Sequence, residues 1–151
     1  MDFIKDQSAG YLANHLARLF ARHLQGRIKP LGLTTGTFPA LLVLWESDGL
    51  TQRELTEHLD IEQPTMANTL ARMERDGLIV RKKDPADARA RRIWLTDKAR
   101  DLRAPAIAAA VQVNSDALAG LSEADRGQFI ALMGRIIAGM QGPALDDTRG
   151  R

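Results

Sequence analysis

The sequence contains no cysteine, which removes disulfides, thiolate metal ligands and thiol-based redox sensing together. No stretch approaches the ~20 consecutive apolar residues that a membrane-spanning helix needs. The opening residues, MDFIKDQSAG, have neither a basic flank nor an apolar core of the kind a secretory signal requires, so a cytoplasmic protein is expected. There is no internal repeat and no low-complexity block. The three histidines are His15, His23 and His58. His15 and His23 fall two helical turns apart, too far to share one metal ion without further ligands, and no HExxH pattern is present. The segment GLTTGT lacks the lysine and spacing of a phosphate-binding loop, and no GxSxG context surrounds a serine. Neither a metal, a cofactor nor an enzymatic activity is therefore expected.

What remains is ordinary in bulk. The 151 residues are 44% hydrophobic and 26% charged, the composition of a globular protein with one compact unit or two small ones sharing a core. The net charge of +2 is too small to argue for a polyanionic partner, but its distribution is uneven. Between Arg72 and Arg92, eight basic residues face four acidic ones, a local surplus of four. The segment RKKDPADARARRIWLT, residues 81–96, joins six of those cations to Ile93-Trp94-Leu95. Such a pattern suits a hairpin with a buried base and a charged tip, the footprint a phosphate backbone selects. A merely solvated charged hairpin is the competing reading.

Apolar periodicity places a helix over residues 8–28, ended by Pro30 and Gly32. A second helix, capped by Thr34 or Thr35 and apolar nearly all round, should lie centrally. Thr51 and Glu54 form a capping box for a helix of about two turns, with each side chain satisfying a free backbone N–H. After a short turn, QPTMANTLARMERDG starts with Pro64 in a helical first turn and exits at Gly77. Met66, Leu70 and Met73 form its buried stripe, leaving Gln63, Thr65, Asn68, Thr69 and Arg72 facing largely away. Two short helices around a tight turn read as a helix-turn-helix. LIVRKKD and RRIWLT follow as two strands, with Ile79, Ile93 and Leu95 as candidates to tie the hairpin to the helices. From Thr96 and Asp97 a long Ala-rich helix runs to Gly120, with Pro105 kinking it or marking its first turns. A last helix starts at Ser122 and repeats apolar residues from Phe129 to Met140. It has more apolar surface than one small domain requires.

At this level the chain resembles the MarR family of winged helix-turn-helix regulators. The resemblance lies in LTQRELTEHL, in LARMERDGLI and in the wing pattern DPADAR…LT, and covers residues 50–103 most strongly. It implies a mainly α fold of six helices with a two-stranded wing hairpin. It also implies a homodimer through the N- and C-terminal helices and no catalytic residues. The corresponding segments are a dimerisation helix at 1–30, the winged domain at 31–96, dimerisation helices at 97–141 and a flexible tail at 142–151. Two departures stand out: Ala88 replaces the first arginine of the wing-tip pair, leaving Arg89, and Glu62 occupies a cap position usually held by Ser or Thr.

The resemblance assigns double-stranded DNA as partner, with Gln63, Thr65, Asn68, Thr69 and Arg72 toward a major groove. Asn and Gln suit adenine, Arg suits guanine, and Thr65 on the first turn suits a phosphate. Arg89 would occupy a narrow minor groove, with Lys82, Arg91 and neighbouring cations on phosphates. Strand alternation means that not all of these cations can face DNA, so one or two should pair with acids at home. Leu12, Leu16, Phe129, Leu132, Ile136 and Met140 would build the dimer interface. A small aromatic or anionic effector would bind near Tyr11, His15, Arg18, Phe38 and Trp45. The expected function is a ligand-responsive regulator, a repressor, on a pseudo-palindromic operator. Its rivals are a winged module for protein partners, a non-specific nucleic-acid binder and a metal-dependent hydrolase.

Overall fold

The computed structural model describes residues 1–142. They fall into two compact units, Met1–Val113 and Asn114 onward. In the first unit, Ser8 caps helix α1 (Ala9–Ile28) by accepting the Tyr11 N–H. A single 3-10 turn and Gly32 in the left-handed region end this helical stretch. Helix α2 (Phe38–Glu46) begins later than Thr34 or Thr35 would set it. Pro39 fixes the start, because a residue without an N–H is tolerated in the first turn and not beyond it. Thr34 instead closes the preceding turn: its carbonyl takes the Phe38 N–H at 3.1 Å and the Thr37 hydroxyl at 3.2 Å. As its composition demands, α2 is central and buries Phe38, Ala40, Leu41 and Leu44.

Strand β1 (Leu50–Thr51) leads directly into helix α3 (Gln52–Leu59). Thr51 accepts the Glu54 N–H at 3.1 Å, which is half of the expected capping box. The other half differs: the Glu54 carboxylate takes the Thr51 hydroxyl at 3.0 Å, since Thr51 is itself drawn into the sheet opposite Arg92. Asp60 at φ 53° turns the chain into helix α4 (Gln63–Arg75). The hairpin of β2 (Ile79–Lys83) and β3 (Arg91–Leu95) follows. The sheet is three-stranded and antiparallel, in the order β1-β3-β2, rather than the two-stranded hairpin expected. A two-residue strand is too short to show alternation in sequence.

Ile79, Ile93 and Leu95 are buried and root the hairpin in a core shared with Leu41, Leu44, Leu55, Met66, Leu70 and Met73. Ile28 and Ala99, from the helices on either side, join the same core. Asp48 locks the corner before β1. Its carboxylate accepts the Gly49 N–H at 3.0 Å and the Leu95 N–H at 2.9 Å, and meets Arg100 at 3.2 Å. The hydrogen bond to Asp48 is the main influence holding the Arg100 guanidinium above its ordinary pKa, with Asp97 adding to it against desolvation. Gly49 sits at φ 78°, and a Cβ there would come within 2.5 Å of the Trp94 ring.

Thr96 caps helix α5 (Asp97–Ala117), accepting the Ala99 N–H at 3.2 Å. The helix continues through Pro105. The carbonyl that loses its partner there belongs to Asp101, an exposed position where water can replace the missing bond. In the second unit, Ser122 caps helix α6 (Glu123–Gln141) through the Asp125 N–H. No residue of α6 is buried; Leu132, Ile136, Ile137 and Met140 are exposed, and Phe129 and Met133 are half-buried. Apart from Gly142, the tail expected to be flexible lies outside the described residues.

Candidate nucleic-acid interface

Helix α4 owes its orientation to Met66, Leu70 and Met73, all fully buried. That leaves Gln63, Thr65, Asn68 and Arg72 exposed along the other side. Thr69 does not belong with them. It is 7% exposed and donates its hydroxyl to the Thr65 carbonyl at 3.0 Å. Standing three residues after Met66, it shares the buried stripe, and the back-bond one turn earlier satisfies its only donor. Gln63 accepts the Gln52 side-chain N–H at 3.2 Å, joining the first turns of α3 and α4. The Arg72 guanidinium lies beside Gly36, in the loop before α2, where a built Cβ would sit 3.8 Å from it.

The wing sorts its cations by strand alternation. Lys83 pairs with Arg91 across the hairpin, and Lys82 with Arg92. Lys82 and Arg91 therefore project from opposite sheet faces. Two arginines are held at home. Arg81 lies 3.5 Å from Glu74 of α4, although its Nε is buried without a well-formed hydrogen bond. Arg92 lies 3.3 Å from Asp84 and donates to the Gly49 carbonyl at 2.9 Å. Lys82, Lys83, Arg89 and Arg91 are exposed and make no ion pair among the described residues. Like charges directly opposite one another destabilise a sheet, so these two rungs favour an anionic neighbour.

The tip is built by side-chain turns. Asp84 accepts the Ala86 N–H and Asp87 accepts the Arg89 N–H, each at 3.0 Å. Asp87 thus fixes the backbone of Arg89 while the side chain projects. A groove of about 640 Å³ separates the wing from the helices, with Gln52, Arg53 and Gln63 on one wall and Arg89, Arg91 and Arg92 on the other. Arg53 and Gln52 were not among the residues singled out from sequence. Their only signal is position, one turn or less after the Thr51 cap.

The residues expected at an effector cleft form two separate contacts. Tyr11 and His15 meet edge-on at 6.2 Å on exposed α1, with Arg18 exposed further along. Phe38 and Trp45 meet at 6.0 Å, and the Trp45 indole N–H donates to the Ala99 carbonyl at 3.0 Å. Phe38 is 3% exposed and belongs to the core, where an apolar ring at the start of a central helix is most stable. Of the residues expected at the dimer interface, Leu12, Leu16, Leu132, Ile136 and Met140 are exposed. Among the described residues, no cluster of His, Asp and Glu could hold a metal ion, and no helix is long and apolar enough to cross a membrane.

A helix-turn-helix backed by a three-stranded sheet with a projecting hairpin is a winged helix. The MarR family model matches residues 31–90, the segment carrying α2 through the wing tip, and over that segment the chain is similar to that family. Solved structures agree along most of the chain. A probable transcriptional regulator from Pseudomonas aeruginosa is 27% identical, with a TM-score of 0.80 over 87% of this chain and 98% of that one. A MarR transcriptional regulator from Methanosarcina mazei Go1 is 24% identical, with a TM-score of 0.79 over 85% and 92%. The PcaV transcriptional regulator from Streptomyces coelicolor, in complex with its natural ligand, is 24% identical, with a TM-score of 0.78 over 91% and 96%.

Proposed function

We propose that the protein is a transcriptional repressor that binds a pseudo-palindromic DNA operator as a homodimer and responds to a small aromatic or anionic ligand. One observation carries the DNA reading: Gln63, at the start of the exposed polar row of α4, and the unpaired wing cations Arg89 and Arg91 border a single groove. In this reading α4 enters a major groove with Asn68 and Arg72 toward base edges. Arg89 enters the adjacent minor groove, and the intervening strand follows the groove between them. Lys82, Lys83 and Arg91 neutralise phosphates, which makes affinity fall steeply with salt. The exposed apolar residues of α6 support self-association, since helices with so much apolar surface are usually covered. The ligand response is supported by PcaV, a regulator of similar fold solved with its natural ligand. A ligand would act by preferring one spacing of the two wings over another.

Titrating duplexes from the DNA flanking its own gene tests the proposal. Tight binding to one duplex, resisted by scrambled competitor, is the expected result. Equal affinity for scrambled DNA would make it a non-specific binder. No binding even at low salt would turn the wing toward protein partners instead.

A further inference from the structure

Arg92 lies in the most basic stretch of the chain and on the wall of the groove, yet its guanidinium, with the side chain 37% exposed, is engaged within the fold. It joins two points that the sequence keeps far apart. Its Nε lies 3.3 Å from the Asp84 carboxylate at the end of the wing, and its Nη1 donates to the Gly49 carbonyl at 2.9 Å. Asp84 is the more buried partner, with its side chain 11% exposed. It also holds the wing turn through the Ala86 N–H. Gly49 is anchored in turn by Asp48 and by the Ile93 carbonyl. The chain of contacts therefore runs from the rigid corner at the base of the sheet, through one planar guanidinium, to the turn that carries Arg89.

We infer that Arg92 is a positioning residue: it braces the wing against the Gly49 corner and so sets where Arg89 stands relative to helix α4. A hairpin rooted only by Ile79, Ile93 and Leu95 is free to flex toward its tip, and a guanidinium fork offers two directed bonds where an ammonium offers a point charge. Arg81 braces the opposite face through Glu74, because neighbouring residues of a strand point to opposite sides. The inference rests on the DNA reading above.

Three substitutions test it. Asp84→Asn keeps an acceptor for the Ala86 N–H but removes a negative charge from the DNA-facing groove. Electrostatics alone would then raise DNA affinity, whereas loss of the brace lowers it; a rise in affinity overturns the inference. Arg92→Gln should weaken binding by roughly tenfold or more, the scale of a misplaced groove contact. In an Arg89→Ala background the same change should weaken it by less than about twofold, because the two residues act through one contact. If Arg92 touches phosphate directly, its loss adds fully to that of Arg89 and lowers the salt slope by about one, which also overturns the inference. Arg92→Lys should recover part of the affinity, and unchanged intrinsic fluorescence of Trp45 and Trp94 in each variant excludes unfolding as the cause. Failure of the wild-type protein to bind any duplex would count against the DNA reading itself. Normal wild-type binding with full affinity in Arg92→Gln would count against the brace alone.

Discussion

Single residues decide what the wing can touch. Arg89 is exposed, unpaired, and held at its backbone by Asp87. Arg89→Ala should weaken operator binding by about 1–3 kcal/mol with an unchanged circular dichroism spectrum; equal affinity in a fluorescence anisotropy titration would reject its role. Gly49 is the opposite case, a residue whose importance lies in having no side chain. Gly49→Ala should lower stability by at least ~1–2 kcal/mol from the left-handed backbone alone, with more from the clash against Trp94. A urea midpoint equal to wild type would contradict that. Residue types were legible in the sequence, but angles were less so. Thr69 has the chemistry of a groove residue and fell inside the stripe by one position. Phe38 has the chemistry of a ligand wall, and Pro39 placed it at the start of a helix packed into the core. Arg92 gave no sign of its bond to the Gly49 carbonyl, since Gly49 is far away in sequence.

At the scale of elements, the helices were the most legible because long apolar periodicities and caps are local. Ser8, Thr51, Thr96 and Ser122 all accept N–H groups at helix starts. Strand β1 was not legible, because it exists only through pairing with β3. Its registration depends on Asp48, whose carboxylate gathers the Gly49 N–H, the last residue of β3 and Arg100 of α5. Asp48→Ala removes the acceptor of the Leu95 N–H and the anionic partner of Arg100, and should reduce stability by about 1–3 kcal/mol, measured by urea denaturation. A change within error would show that water replaces the carboxylate freely. Arg100 adds no pH dependence near neutrality. With its pKa raised, its stabilising effect is complete below the ordinary arginine range and is lost only above it.

At the scale of the whole molecule, assembly is a property of surfaces meeting. Helix α6 presents Ile136 at 58% and Met140 at 85% exposure, more apolar surface than its own unit covers. Ile136→Asp should convert a dimer to monomers in sedimentation velocity, since an unpaired carboxylate buried at an interface is strongly unfavourable. A monomeric wild type at micromolar concentration would remove that expectation. The central claim is that helix α4 and the wing grip duplex DNA together, once per subunit and twice per assembly. A hydroxyl-radical footprint of the bound operator measures this directly. The account predicts two symmetric protected half-sites whose centres lie one helical turn, about 10 base pairs, or a multiple of it apart. It also predicts outer minor-groove protection that disappears in Arg89→Ala. A single asymmetric block, or minor-groove protection unchanged without Arg89, would contradict it.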